Sequence, residues 1–330
     1  MPSRRVLFIG GTGILSRAAG LLLVERGDEL TILNRGWSSK RPAPDGAERL
    51  RADVREPGAL AAAIEGREFD VVVDFVAFTA DDARRDVDLF SGRTAQYVFI
   101  SSVAAYQKPP AHLPIRESSP LHNPFWDYGS NKIAAEDVFV SAFRRSGFPA
   151  TIVRPAHTYD PSYIPLNGEW TAIDRMLRGV PVVLHGDGTS LWTLTHARDF
   201  AAAFVALLGN PAAIGDSFHI TSDEILTWDR IAQTLARAAG VEARIVHVPS
   251  DAMAAADRRQ GEELLGDRTY SVVFDNTKIK DFVPGWRATT PFATGAVEIL
   301  DWYDAHPARK KVDPALEEYF DALIARYGVN

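Results

Sequence analysis

A glycine-rich turn between an apolar run and an amphipathic stretch constrains the fold of this chain more than any other feature. After its two arginines, the run from Arg4 to Gly10 is β-branched and apolar, which is typical of a strand buried on both faces. Glycines at i and i+3 end this run, Ser16 stands where a third glycine is usual, and a helix is predicted from Ile14 to Glu25. Such glycines allow a tight turn and let a helix N-terminus approach a pyrophosphate. The residues expected to bind a dinucleotide here are Gly10, Gly13, Ile14 and Leu15.

Strand and helix patterns alternate through the first half of the chain without hairpin signals. Strands are predicted at Glu29–Asn34, in a short segment ending at Asp53, at Asp70–Phe78 and at Gln96–Ser102, with a helix at Pro57–Glu65. The alternation predicts an α/β fold, a Rossmann-type doubly wound parallel sheet with a smaller, mixed C-terminal substrate-binding lobe. We expect the dinucleotide-binding domain at 1–162 and the lobe at 163–330, with returns to the first domain at about 195–222 and 291–304.

The end of the second strand indicates which dinucleotide is bound. An NAD enzyme usually carries Asp or Glu there to hold the ribose. This chain has Asn34 followed by Arg35, with Lys40 and Arg41 nearby. Loss of the carboxylate and gain of a guanidinium favour the 2′-phosphate of NADP, while NAD stays possible and a solvated basic loop is the alternative. Further cofactor contacts are expected where later strands end, at Asp53, Val54, Ala77, Phe78 and Ser101.

A tyrosine and a lysine four residues apart, Tyr128 and Lys132, begin a helical pattern and share one helix face. Lowering a phenol pKa of about 10 by about three units takes roughly 4 kcal/mol, which one positive charge about 4 Å away supplies at an effective dielectric near 20. The pair can therefore exchange a proton with an alcohol. Ser102 ends a predicted strand and offers a hydroxyl that could hold the substrate oxygen.

Composition excludes several classes of function. The chain of 330 residues has no cysteine, which excludes disulfides and thiol catalysis, and its eight histidines show no metal-binding spacing, so no metal is expected. A net charge of −7 without a basic, aromatic-rich run argues against nucleic acid as a partner. Without a signal-peptide or membrane-spanning pattern, we expect a cytoplasmic protein with no membrane contact.

The later half shows a looser pattern. Helices are predicted at Thr171–Arg178, Ala197–Leu208, Trp228–Ala239, Pro291–Tyr303 and Ala315–Tyr327, and a strand is predicted at Arg244–Val248. The last helix is amphipathic, so it could be a lid, part of a homodimer contact or ordinary packing.

Several motifs in the same order resemble the extended short-chain dehydrogenase/reductase superfamily, in its NAD(P)-dependent nucleotide-sugar epimerase/dehydratase branch. They are GGTGILS, the SSVAAY of Ser101–Tyr106, the Tyr-x-x-x-Lys, TIVRPAHTYDP, HGDGTSLWTLTHARDFAAAF, FHITSDE and FDNTKIKDFVPGW. The resemblance covers nearly the whole chain. It implies that Ser102, Tyr128 and Lys132 are catalytic, that Tyr128, Lys132 and Pro155 also contact the cofactor, and that the substrate meets Ser102, Tyr106, His157 and Trp192.

Three departures from this branch narrow its chemistry. Val103, Ala104 and Ala105 stand in the segment where dehydratases carry an Asp-Glu pair, so 4,6-dehydration is not expected. Trp192 stands where an arginine often grips the nucleotide phosphate, and a neutral ring cannot replace that contact. His157 stands where an asparagine usually faces the substrate, and we expect it to be a hydrogen-bonding pocket residue.

The resemblance implies an epimerase that oxidises and re-reduces a secondary alcohol of a nucleotide sugar, other sugar or nucleoside with retained cofactor. The alternative is an NADPH-dependent carbonyl reductase or alcohol dehydrogenase, in which the cofactor exchanges. A third interpretation is a non-catalytic RNA-binding or scaffold protein of the same fold, against which the intact Ser102, Tyr128 and Lys132 argue.

Overall fold

A computed structural model describes residues 3–36 and 40–328. The strands are β1 (Arg5–Ile9), β2 (Glu29–Asn34), β3 (Glu48–Arg51), β4 (Val71–Asp74), β5 (Gln96–Ile100), β6 (Ala150–Pro155), β7 (His157–Tyr159), β8 (Val182–His185), β9 (Leu191–Trp192), β10 (Leu194–His196), β11 (Ser217–Ile220), β12 (Leu226–Thr227) and β13 (Ile245–Val248). The helices are α1 (Ile14–Glu25), α2 (Ala59–Ala63), α3 (Ala80–Phe90), α4 (Asp127–Ser146), α5 (Trp170–Leu177), α6 (Ala197–Leu207), α7 (Trp228–Ala238), α8 (Ser250–Ala256), α9 (Arg258–Glu263), α10 (Thr277–Phe282), α11 (Phe292–Ala305) and α12 (Pro314–Tyr327).

A seven-stranded sheet in the order β11-β6-β5-β4-β1-β2-β3 forms the centre of the molecule, and every neighbouring pair is parallel. Its inner strands are mostly apolar and buried, because helices cover both faces. The apolar residues of α1 and α6 pack with one face of the sheet, and those of α2, α3 and α4 pack with the other. The predicted doubly wound α/β fold is therefore confirmed.

The second lobe contains three small strand pairs, β7 with β10, β9 with β12, and β8 with β13. Its own apolar cluster draws on α5, α7 and α11. Within 195–222, β11 pairs with β6 at the edge of the main sheet, and the apolar residues of α6 pack on one face of that sheet. The second predicted return differs from the structure: within 291–304, the apolar residues of α11 pack with the lobe, since they face α7 rather than the main sheet.

Most predicted elements lie within one or two residues of the observed bounds, and the largest differences are at strand ends. The strand predicted at Asp70–Phe78 ends at Asp74, because this side chain accepts hydrogen bonds from the backbone N–H groups of Val76 and Ala77 and turns the chain. The strand predicted to end at Asp53 ends at Arg51. These turns place side chains and backbone groups at the carboxyl edge of the sheet.

Candidate active site

A groove of about 980 Å³ lies along the carboxyl ends of β1, β2, β4, β5 and β6. Its lining includes all but one of the residues predicted to bind the cofactor, namely Gly10, Gly13, Ile14, Leu15, Asn34, Arg35, Asp53, Val54, Phe78, Ser101, Tyr128, Lys132 and Pro155. The exception is Ala77, which is fully buried behind the groove wall. Ser102 also lines the groove, whereas Tyr106, His157 and Trp192 do not.

The glycine-rich turn is shaped by close approach of its neighbours. Gly10 has φ of +85°, and a Cβ atom there would lie 2.4 Å from Cγ1 of Val76. Ser16, at the position of the third glycine, is buried, and its hydroxyl accepts a hydrogen bond of 2.9 Å from the N–H of Gly13. A serine therefore replaces the glycine without loss of packing and caps the first turn of α1.

Ser102 and Tyr128 are brought together from two elements. Ser102 follows β5 and accepts a hydrogen bond from the N–H of Ala104, while Tyr128 lies in the first turn of α4 with the Ser102 side chain as its polar neighbour. Burial raises the pKa of Tyr128, and the contact with Ser102 only partly opposes this effect. The phenol is therefore protonated at neutral pH and placed to act as a proton donor.

Lys132 is almost completely buried, and its ammonium group is held by backbone oxygens. Nζ donates to the carbonyls of Ala77 at 2.7 Å and Ile100 at 2.8 Å, and it lies 4.5 Å from the ring centroid of Phe78. Burial lowers the pKa of Lys132 to about 8. The expectation that Lys132 lowers the pKa of Tyr128 is not met in this geometry, since Nζ is directed to these carbonyls and lies 5.8 Å from the centroid of the phenol ring.

Ser101 faces the other side of its strand and begins a buried polar network. Its hydroxyl donates to Oε1 of Glu136 at 2.5 Å, and both oxygens of Glu136 bind the guanidinium of Arg154. Arg154 in turn donates to the hydroxyl of Tyr106, which also contacts Nδ1 of His219 at 3.1 Å. Ser101 thus lines the groove while its hydroxyl is engaged in fixing β5 to α4 and β6.

The structure does not support the substrate roles predicted for Tyr106 and Trp192. Tyr106 is 1% exposed and belongs to the network just described, so its hydroxyl is already used. Trp192 is 2% exposed, and its indole Nε1 donates to Nδ1 of His157 at 3.1 Å. Both side chains are large and have one polar end, and that end is hydrogen-bonded to other residues of the protein.

His157 is engaged by its neighbours rather than presented to the groove. Besides Trp192, it contacts the hydroxyl of Tyr163 through Nε2 at 3.4 Å. Burial lowers its pKa to about 3, so the ring is neutral at ordinary pH. The predicted hydrogen-bonding role is met by protein partners, and a role towards substrate stays a prediction.

A turn that the sequence did not indicate lies against the start of α4. Leu264–Arg268 forms one turn of π-helix, and a Cβ on Gly266 would lie 2.4 Å from Cβ of Trp126. Asp267 in this turn accepts a hydrogen bond of 2.6 Å from the buried Lys108, and its negative charge acts on Tyr128. Turns of this type are frequent at functional sites. Only the Gly-Asp pair in a loop-like segment could have drawn attention to it.

The end of β2 offers two groups to the adenosine half of a dinucleotide. The side-chain oxygen and nitrogen of Asn34 are buried at the groove and have no hydrogen-bond partner. Arg35 is exposed and also lines the groove. Arg41 is used elsewhere, since it forms an ion pair of 2.6 Å with Asp160.

Within 3–36 and 40–328, no group of three or more His, Cys, Asp or Glu side chains is arranged to hold a metal ion. In the same ranges, no helix is both long enough and apolar enough to cross a membrane.

The model of the NAD dependent epimerase/dehydratase family matches residues 6–221. This chain belongs to that family. The family is one of enzymes that use a nicotinamide dinucleotide. The groove fits such a group, because Gly10 and Gly11 keep the turn tight where a Cβ would clash with Val76 or Ile32, and Asn34 keeps two unpartnered polar atoms beside it. The residues that would hold the dinucleotide are those lining the groove from the glycine turn to Lys132.

Known proteins similar to this family member have varied activities. A 2′-dehydrokanamycin reductase of Streptomyces kanamyceticus is 28% identical over 86% of this chain and 80% of its own length. A chloroplast stem-loop binding protein of 41 kDa from Arabidopsis thaliana is 27% identical over 74% of this chain and 66% of its own. The structure of epimerase Mth375 from Methanothermobacter thermautotrophicus superposes with a TM-score of 0.76 at 16% identity, covering 93% of this chain and 94% of that one, which shows the shared fold.

Proposed function

We propose that this protein is a reductase that converts a ketone of a small sugar-like molecule to a secondary alcohol. The observation that carries the proposal is that Ser102, Tyr128 and the buried Lys132 all line one groove, with Ser102 as the polar neighbour of the phenol. The nicotinamide, when bound, supplies the hydride that adds to the carbonyl carbon. The proton that adds to the carbonyl oxygen comes from the phenol of Tyr128, and Ser102 orients that oxygen.

The protonation state of Tyr128 supports the reductive direction. A phenol whose pKa is raised by burial stays protonated and can donate, whereas an oxidation must begin with a phenolate that accepts a proton. The relative that acts on 2′-dehydrokanamycin is a reductase by name and aligns with most of this chain. The name of this relative favours reduction over the epimerase that the sequence suggested first, while the protonated phenol suits the reductive step of either enzyme.

The substrate proposed here lacks a nucleoside diphosphate. Trp192 and His157 bind each other, so neither provides the cationic fork that a diphosphate needs. Dehydration is also not proposed, since Val103, Ala104 and Ala105 form a buried turn of 3-10 helix after Ser102 and contribute no acid.

We further propose NADP rather than NAD as the cofactor. Asn34 and Arg35 occupy the groove at the end of β2, where a carboxylate would repel a 2′-phosphate. Lys40 and Arg41 are not assigned to the 2′-phosphate. Arg41 is already paired with Asp160.

An epimerase with retained cofactor is the second candidate, favoured by the family to which the chain belongs. The two are separated by denaturing the purified protein and identifying the released dinucleotide. The reductase proposal expects little bound dinucleotide and stoichiometric consumption of NADPH with a sugar ketone. Near-stoichiometric oxidised dinucleotide, with turnover that needs no added cofactor, would establish the epimerase instead.

RNA binding is the candidate from another class, suggested by the name of the stem-loop binding relative. Our proposal expects no RNA affinity that responds to salt as phosphate contacts do, given the net charge of −7. RNA retention that falls steeply with salt, in a protein without turnover, would favour that candidate.

A further inference from the structure

Two buried carboxyl groups lie directly beneath the catalytic end of the groove. Asp74, at the end of β4, and Asp86, in α3, are both fully buried. The hydroxyl of Tyr97 lies between them, 2.7 Å from Asp86 and 3.5 Å from Asp74. Two carboxylates this close without water tend to share a single proton, because ionising both is costly.

The bonds of Asp74 lead towards the catalytic lysine. Its Oδ1 accepts hydrogen bonds from the N–H groups of Val76 at 2.6 Å and Ala77 at 2.7 Å. The carbonyl of that same Ala77 accepts the bond of 2.7 Å from Nζ of Lys132. Oδ1 of Asp74 thus holds the Val76–Ala77 turn in place, and the carbonyl of Ala77 in that turn holds the ammonium of Lys132.

The charge of Asp74 matters because the ammonium is otherwise poorly compensated. Lys132 is 1% exposed, and a buried cation with only carbonyl partners pays a large desolvation penalty. Asp74 is the strongest of the acidic neighbours that favour the charged lysine, ahead of Glu136 and Asp82. The other groups that face this pair are Asp86, Arg85, Tyr97 and Tyr128.

We propose that Asp74 is a positioning residue for Lys132, which holds the ammonium in place through the Val76–Ala77 turn and keeps it protonated through its negative charge. The role rests on the proposed function only in giving Lys132 a catalytic purpose. The two N–H bonds of the turn favour the ionised form of Asp74, whereas Asp86 bonds Arg85 and Tyr97 and does not bond the turn.

The test measures the titration of Lys132 itself. The full-length protein, as purified, is labelled with ¹³C-lysine, and the Lys132 signal among seven lysines is assigned by its loss in Lys132→Met. In the wild type we expect a pKa of about 8. Asp74→Asn keeps an acceptor for the turn but removes the charge, so the pKa of Lys132 should fall by about one unit or more.

Asp86→Asn is the matched control, since it removes the other buried carboxyl of the pair. It leaves Asp74 as the only carboxyl of the pair, so the pKa of Lys132 should stay or rise. Asp74→Ser serves if Asp74→Asn does not fold, because a hydroxyl can also accept from the turn without carrying charge. A Lys132 titration that is unchanged in the Asp74 variants, or that falls equally in Asp86→Asn, overturns the proposal.

This measurement needs no substrate, so failure of the positioning role can be distinguished from failure of the proposed reductase function. A shifted Lys132 titration in a protein that reduces no sugar ketone would sustain the positioning role and reject the reductase. If the protein is a reductase, Asp74→Asn should also lose activity about one pH unit earlier on the alkaline side than the wild type, because the charged lysine is lost there first.

Discussion

The indole Nε1 of Trp192 donates a hydrogen bond to Nδ1 of His157, so a neutral, internally bonded side chain stands where the nucleotide-sugar branch often has a phosphate-binding arginine. We therefore expect UDP to show no measurable binding at concentrations where NADPH saturates the protein, as measured by calorimetry. Trp192→Arg should not create such binding and should lower the melting temperature, because the site is 2% exposed and would bury an unpaired cation. Micromolar affinity of the wild type for UDP would contradict this prediction and would make nucleotide sugars the proposed substrates.

Tyr128→Phe tests the proton donor. The ring remains but the hydroxyl that contacts Ser102 is gone, so turnover should fall on the order of a hundredfold or more, while dinucleotide affinity stays within a few-fold. Steady-state rates and a fluorescence titration with NADPH measure the two effects. Retention of more than about a tenth of the activity would move the proton donor elsewhere.

Arg35→Ala tests the choice of dinucleotide. Loss of the exposed guanidinium at the groove should weaken NADPH by roughly tenfold and leave NADH nearly unchanged, since only NADPH carries the 2′-phosphate. Arg26→Ala, which removes an exposed arginine outside the groove lining, is the control for net charge. Equal losses for both dinucleotides would show that Arg35 does not contact the 2′-phosphate.

One buried and one partly buried histidine, His185 and His157, predict an acid-sensitive fold. Burial lowers the pKa of His157 to about 3 and of His185 to about 4, below the value of 6.5 for free histidine. The unfolded chain therefore binds more protons below pH 6.5, and the free energy of unfolding should fall with decreasing pH down to about pH 4, by at most about 1.4 kcal/mol per pH unit and histidine. Urea unfolding at several pH values measures this slope.

His185→Gln provides the matched variant for that slope. Glutamine can still donate to the carbonyl of Arg268, which His185 contacts at 2.9 Å, but it cannot titrate. The slope should decrease in this variant and stay as in the wild type for the exposed His112→Gln. An unchanged slope in His185→Gln would assign the acid sensitivity to other groups.

The ion pair of Glu136 and Arg154 predicts that substitutions of these two residues have non-additive effects on the free energy of unfolding. Their side chains are 2% and 5% exposed, so Arg154→Met should cost about 3–5 kcal/mol by leaving a buried carboxylate unpaired. Adding Glu136→Gln to that variant should recover part of the loss, because the uncompensated charge is removed. Denaturant unfolding of the two variants gives the comparison, and a double variant less stable than Arg154→Met would contradict it.

The sequence predicted the sheet, the glycine turn and the catalytic helix because each has a strong local pattern. The apolar strands and the periodic helix at Ile14–Glu25 need only their own residues to be recognised. Tyr106 and Trp192 could not be placed in this way, since a large amphipathic side chain suits a pocket and a core equally, and only the partners of its polar end decide. The π-helical turn lies beside a segment that is distant from it in sequence. Asp74 and Asp86 stand within strand and helix patterns, which give no sign that their side chains meet at Tyr97.

The placement of β11 beside β6 affects how shorter fragments of this chain can be designed. Because β11 pairs with β6, a fragment that stops at residue 162 would expose the full hydrogen-bonding edge of β6 and strip α6 from the sheet face. An uncovered, apolar strand edge recruits strands from other molecules. Such a fragment would be prone to self-association, and the nucleotide-binding half is better isolated by shortening the loops of the lobe than by cutting the chain at residue 162.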